Sequence, residues 1–238
     1  MKNLLLVIGL SLSLSVMAQE IDKPYEFPVK PGSEQWAKLN SSIQKDEVCI
    51  IPDAVLNGLS TKALLITCLN YPRIVDFFLA SDMQSGFNFY SKHFKGLAEL
   101  LKRSDLNNVL LQSYLNLDIS TLKLLGYDLK LSLTQVAFLE LLISQESIIG
   151  SYEKNEKLTL ISEAIKKLEQ RQKLGKSLFR QRTSALILSR ILYSEDVKMS
   201  EFDNYGNDIF SVFNSQVVII DKSVVDKVLI VAKKFLEN

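Results

Sequence analysis

Histidine occurs once in the 238 residues, at His93, and cysteine twice, at Cys49 and Cys68. A single imidazole excludes an HExxH zinc site, a His-rich metal cluster and any triad that needs a second histidine. One His and two Cys make a zinc site only when a carboxylate joins them, and their spacing does not suggest it. With Phe89 four residues before it and Phe94 beside it, His93 reads as decoration on a helix. Glycine is sparse, at nine residues, and forms neither a GxGxxG pattern nor a P-loop, so phosphate-nucleotide chemistry lacks its backbone cradle. There is no GxSxG elbow to expose a serine nucleophile. Proline is absent after Pro72, which leaves the rest of the chain permissive for helix. No sign of charge dominates either, with 28 basic and 27 acidic residues, so a global electrostatic pull toward nucleic acid is excluded. No cofactor is expected from these residues.

What is present begins with a leader. Lys2 precedes an uncharged run over 4–16, followed by Val16, Met17 and Ala18 ahead of Gln19. That is the charged, apolar and small-residue order of a cleavable secretory signal over 1–18, with an apolar part too short to span a bilayer comfortably. The expected location is periplasmic or secreted, with no transmembrane span in the mature chain. No cysteine stands at the cleavage point to carry a lipid. Cleavage removes one charge, Lys2, and leaves the mature chain formally neutral. Residues 19–33 hold three of the five prolines and read as an extended linker. Residues 34–238 are expected to form a single helical domain, and the 47% hydrophobic composition of the whole sequence suits a substantial core. Export places Cys49 and Cys68 where a disulfide can persist, while Cys68 also falls on the apolar stripe of a helix, where a thiol behaves as a small hydrophobe. Both readings stand on the sequence.

Helix starts are legible where Ser, Asp or Asn can accept from the amides of a first turn. Ser60, Asp105, Ser132, Asn155, Ser177 and Asp221 or Ser223 each precede an amphipathic stretch, and Pro72 opens another at a first-turn position. Ser81 and Gln84 are spaced as a capping box ahead of a helix in which Phe87, Tyr90, Phe94, Leu97 and Leu101 share one face, with Gly96 as a point of interruption. Leu158, Ile161, Ile165 and Leu168 form a second stripe. Only 47–51 and 216–220 look strand-like.

Glu99-Leu100-Leu101 recurs as Glu140-Leu141-Leu142, with Ala63-Leu64-Leu65 before and Ala185-Leu186-Ile187 after, at offsets of 36 to 45 residues. Such offsets bracket the period of paired-helix repeats. The expected fold is therefore all-α, either a short superhelical array of helix pairs (HEAT/armadillo-like) or an irregular multi-helix bundle. The stretch from Ser60-Thr61 through Cys68-Leu69-Asn70-Tyr71-Pro72, and Phe94-Lys95-Gly96 before Glu99-Leu100-Leu101, resemble a group of exported helical proteins from Bacteroidota with no assigned function. The likeness covers about residues 33–117, more weakly to 174, and implies export and a helical build without supplying catalytic residues.

Three patterns carry candidate chemistry. Glu146-Ser147 is similar to the Glu-Ser pair that lysozyme-like lytic enzymes place after a helix, although their later glycine-leucine-methionine-glutamine motif is missing. A glycan-cleaving enzyme using carboxylates such as Glu140 or Glu146 would need a deep cleft with two facing acids. From 166 to 182, Lys166, Lys167, Arg171, Lys173, Lys176, Arg180 and Arg182 stand against one acid, Glu169. They form either a patch for an anionic partner or the solvated faces of two helices. Asp203, Asn204, Gly206, Asn207 and Asp208 gather oxygens as a calcium loop does, without the spacing of an EF-hand, and equally suit a plain connection. The expectation is a non-enzymatic interaction or scaffold module of the envelope whose partner is another envelope or extracellular protein, with the glycan-cleaving enzyme as the alternative.

Overall fold

Ser60 and Ser132 begin helices where the sequence places them, whereas Asn155 and Ser223 fall inside helices that begin at Lys154 and Lys222. The computed structural model describes residues 22–125, 129–173, 181–197, 213–215 and 222–237. The leader over 1–18, the start of the linker, Lys176, Ser177, Arg180, the oxygen-rich stretch over 203–208, the strand expectation over 216–220 and Asp221 lie outside the described residues. The described chain is predominantly helical and divides into two compact units, Met1–Arg73 with Tyr90–Leu106, and Ile74–Phe89 with Asn107–Asn238. No helix among the described residues is long and apolar enough to cross a membrane.

The first unit is built from short helices: α1 (Glu34–Ala37), α2 (Ser42–Glu47), α3 (Asp53–Gly58), α4 (Thr61–Leu69), the end of α5 (Met83–His93) and α6 (Lys95–Leu100). Ser60 accepts from the Ala63 amide to start α4, which buries every residue but Lys62 and packs on α6. A helix apolar on all sides belongs inside. The proline-rich stretch is docked on it: the Tyr25 amide donates to Thr67 Oγ1 at 2.9 Å, Ser60 Oγ donates to Asp22 at 2.6 Å, and Phe27 is buried with its ring edge-on to Tyr71. Tyr71 in turn stacks on Phe94 with ring centroids 4.0 Å apart.

Residues 47–51 form no strand: the amides of Val48, Cys49 and Ile50 turn back to the carbonyls of Gln44, Asp46 and Glu47, closing the end of α2. The long amphipathic helix running on past residue 93 is two helices, because Phe94 is extended (φ −98°, ψ 105°) and swings its ring onto Tyr71. Gly96 then leaves room for that ring, since a Cβ there would lie 2.6 Å from it. Cys49 and Cys68 are buried thiols, not joined in a disulfide, and burial pushes the Cys68 thiol pKa up.

The second unit is an irregular multi-helix bundle. It comprises a 3-10 helix (Ile74–Phe78), most of α5, α7 (Leu106–Leu115), α8 (Leu133–Ile143), α9 (Glu146–Ile149), α10 (Lys154–Lys173), α11 (Arg182–Ser194) and α12 (Lys222–Glu237). Helix α11 packs on α8, α9, α10 and α12. Ser132 and Gln135 form a reciprocal capping box at the start of α8. At α5 the expected Ser81–Gln84 box is replaced by Asp82, whose carboxylate accepts from both the amide and the hydroxyl of Ser85 at 2.7 Å. Three two-residue strands, β1 (Leu117–Asp118), β2 (Lys123–Leu124) and β3 (Leu129–Lys130), pair antiparallel in the order β1-β2-β3. Asp118 nucleates the first turn by accepting from Thr121 and Ser120, which holds its pKa down at about 2. Each of the four recurrent apolar strings lies on a helix or at its end, in α4, α6, α8 and α11.

Candidate functional site

The central helix of the second unit, α11, buries eleven of its thirteen residues, yet its sequence RTSALILSRILYS is polar at two places. Each polar place must find partners inside the protein. They do so in contrasting ways, one closed and one open.

At the closed end, Thr183 and Ser184 meet Glu140 of α8. Glu140 is the lone charge in the apolar run VAFLELLI and is completely buried. Arg171, in the last turn of α10, grips it with both η nitrogens, at 2.8 Å and 2.9 Å. Thr183 Oγ1 and Ser184 Oγ donate at 2.5 Å and 2.7 Å, and Tyr114 Oη donates at 3.2 Å. Burial, and then the Glu140 charge beside it, pushes the Tyr114 phenol well above its ordinary range, which keeps that hydroxyl a donor. Five donors on two carboxylate oxygens exhaust the lone pairs. No water or substrate proton has a place on Glu140, so the carboxyl that sequence offered as one of a catalytic pair is part of the core.

At the open end, Arg190 lies under a cleft of about 330 Å³. Its Nε donates to the Asn214 carbonyl at 3.0 Å, Nη1 to the Ser144 carbonyl at 3.0 Å and Nη2 to Gln84 Oε1 at 2.7 Å. Gln84 passes the order on, donating to Gln145 Oε1 and to Asn88 Oδ1, both at 2.9 Å. Gln145 is anchored by donating to the Leu141 carbonyl at 2.7 Å. Burial lowers the Arg190 pKa to about 10, opposed by the Glu146 charge, so the guanidinium stays protonated at neutral pH. Glu146 and Ser147 are exposed at the rim and line the same cleft. No second carboxylate lines it among the described residues.

The basic run is divided by the fold. Lys167 is buried, donating to Glu163 at 2.7 Å with its ammonium 4.9 Å from the Tyr114 ring centre. Arg171 belongs to the Glu140 cluster, and Arg182 is buried at the start of α11. Lys166 and Lys173 are exposed, while Lys176 and Arg180 lie outside the described residues. Lys166 shares Glu163 with Lys167, at 3.2 Å. His93 is exposed in the last turn of α5. Among the described residues no group of three or more His, Cys, Asp or Glu is placed to hold a metal ion.

Sequence reasoning singled out Glu140 and Glu146 and missed Arg190, Gln84 and Gln145. The available signal was Ser189-Arg190 in the middle of LILSRILY, a charge that an apolar helix keeps only when fixed partners meet it. Comparison with known proteins finds no matching family model, no matching curated protein and no matching solved structure.

Proposed function

We propose that the chain is an exported, non-enzymatic interaction or scaffold module of the cell envelope, working in the periplasm or outside the cell and akin to the exported helical proteins of Bacteroidota. The observation that carries the reading is that three large apolar side chains within residues 75–89 of the second unit are exposed: Val75 is 50% exposed, Leu79 74% and Phe89 53%. Full burial of such a side chain is worth roughly 1.5–3 kcal/mol, and each of these forgoes about half of it or more. Three such residues in one short stretch of chain suit a surface that a partner protein covers. The leader over 1–18 supports export, and the balanced charge directs the reading to a protein partner rather than nucleic acid.

Site-specific photo-crosslinking tests this. A photoreactive residue at position 79 of the exported chain is expected to give one discrete protein adduct on a species starting at Gln19, and Val75→Asn with Phe89→Asn is expected to suppress it. No adduct, or an adduct indifferent to both substitutions, counts against the proposal. A second reading, an envelope-glycan-cleaving enzyme with a carboxylate general acid, is favoured by one observation, the presence of Glu146 and Ser147 at the cleft. Glycan turnover separates the two.

A further inference from the structure

The cleft above Arg190 differs from an ordinary small-molecule pocket, because such pockets are predominantly apolar. Its floor is Gln84, Gln145 and Arg190, its rim Asn88, Glu146 and Ser147, and no apolar side chain lines it among the described residues. A lipid or a hydrophobic peptide side chain gains nothing there. An anion meets the carboxylate of Glu146 and a cation the guanidinium of Arg190, so the pair favours a ligand without net charge. What remains is a molecule that both donates and accepts hydrogen bonds over most of its surface.

We propose that this cleft binds a neutral saccharide unit. A sugar hydroxyl is at once donor and acceptor, and the cleft sets an acceptor-only carboxylate near a donor-only guanidinium with carboxamides between them. Arg190 commits three of its five N–H groups to Asn214, Ser144 and Gln84, leaving one on each η nitrogen for a ligand. Among the described residues the Glu146 carboxylate and the Ser147 hydroxyl make no hydrogen bond, so they too can turn to a ligand. The floor is fixed in advance by the chain Arg190–Gln84–Gln145–Leu141, which limits the ordering cost of binding. A space of about 330 Å³ is roomy enough to be filled by several waters. Ring hydroxyls replace such waters while reproducing their hydrogen bonds. The inference concerns binding without bond cleavage and stands independently of the protein-interaction reading.

The test is a titration of the mature chain with cellotriose, maltotriose and the trimer of N-acetylglucosamine, followed by amide chemical shifts, with trialanine as the peptide comparison. Glu146→Ala removes the acceptor and Ser147→Trp fills the space; both positions are exposed, and circular dichroism checks that each variant keeps its helices. At least one trisaccharide is expected to bind with Kd below about 1 mM. Affinity is expected to fall about tenfold or more in Glu146→Ala, to vanish in Ser147→Trp, and the sugar is expected to be recovered intact. The proposal is overturned if none of the three sugars binds, if binding ignores both substitutions, if trialanine binds and the sugars do not, or if the bound sugar is cut.

Discussion

Glu140 illustrates how a single buried charge is made tolerable. An isolated carboxylate in an apolar interior would carry a penalty of several kcal/mol, which Arg171, Thr183, Ser184 and Tyr114 offset by hydrogen bonding. Removing one partner strands the other. Glu140→Leu is therefore expected to cost about 3–5 kcal/mol in urea denaturation. Glu140→Leu combined with Arg171→Met is expected to recover a large part of that loss, since no uncompensated charge remains. A single-substitution cost below about 1 kcal/mol would remove the cluster from the account of stability. The sequence makes Glu140 conspicuous inside VAFLELLI, but nothing local names its counter-charge 31 residues away. Part of that answer was nonetheless legible. Leu160, Ala164, Lys167 and Arg171 recur at steps of three and four, so the two cations ride the buried face of α10 rather than a solvated one. Counting basic residues between 166 and 182 without phasing them hides this.

At the scale of elements, the caps read most clearly. Ser60 and Ser132 begin α4 and α8 at the expected residues, because an N-cap is a local bargain between a hydroxyl and amides of the next turn. Breaks and tiny strands read poorly, because tertiary contacts decide them. Phe94 ends α5 for the sake of a ring stack on Tyr71, and the strands over 117–130 exist through pairing with each other. The docking of Phe27 was equally hidden, since three nearby prolines suggest a tether and only the packed Tyr71 ring shows why the segment stays down. Gly86 records another such contact. A Cβ there would lie 2.1 Å from the Phe77 carbonyl oxygen, so α5 approaches the 3-10 helix backbone to backbone. Gly86→Ala is expected to destabilise the protein by about 3 kcal/mol, near the upper end of overpacking costs. Gly58→Ala, with nothing within 4 Å of its Cβ, is expected to be neutral or to stabilise by about 0.4–1 kcal/mol. Thermal or urea unfolding of the two variants side by side checks the contrast, and equal effects would contradict it.

For the molecule as a whole, composition and helical periodicity carried the class, while the site depended on which polar residues of one central helix end up closed and which open. Thr183 and Ser184 complete a sealed cluster around Glu140, whereas Arg190 supports a cleft that still presents Glu146 and Ser147 to solvent. Polar side chains of similar sequence character thus serve the core in one place and a surface in another. The open end supplies the polar cleft proposed for a saccharide, and the exposed apolar residues at 75, 79 and 89 supply the surface proposed for a protein partner of an exported chain. Its central claim is that the protein binds and does not cut. Incubating purified peptidoglycan sacculi with the mature chain and with Glu146→Gln, then separating the soluble products by chromatography, tests this most directly. The expected result is no release of soluble glycan fragments above buffer by either protein; release by the wild type that disappears in Glu146→Gln would contradict the account.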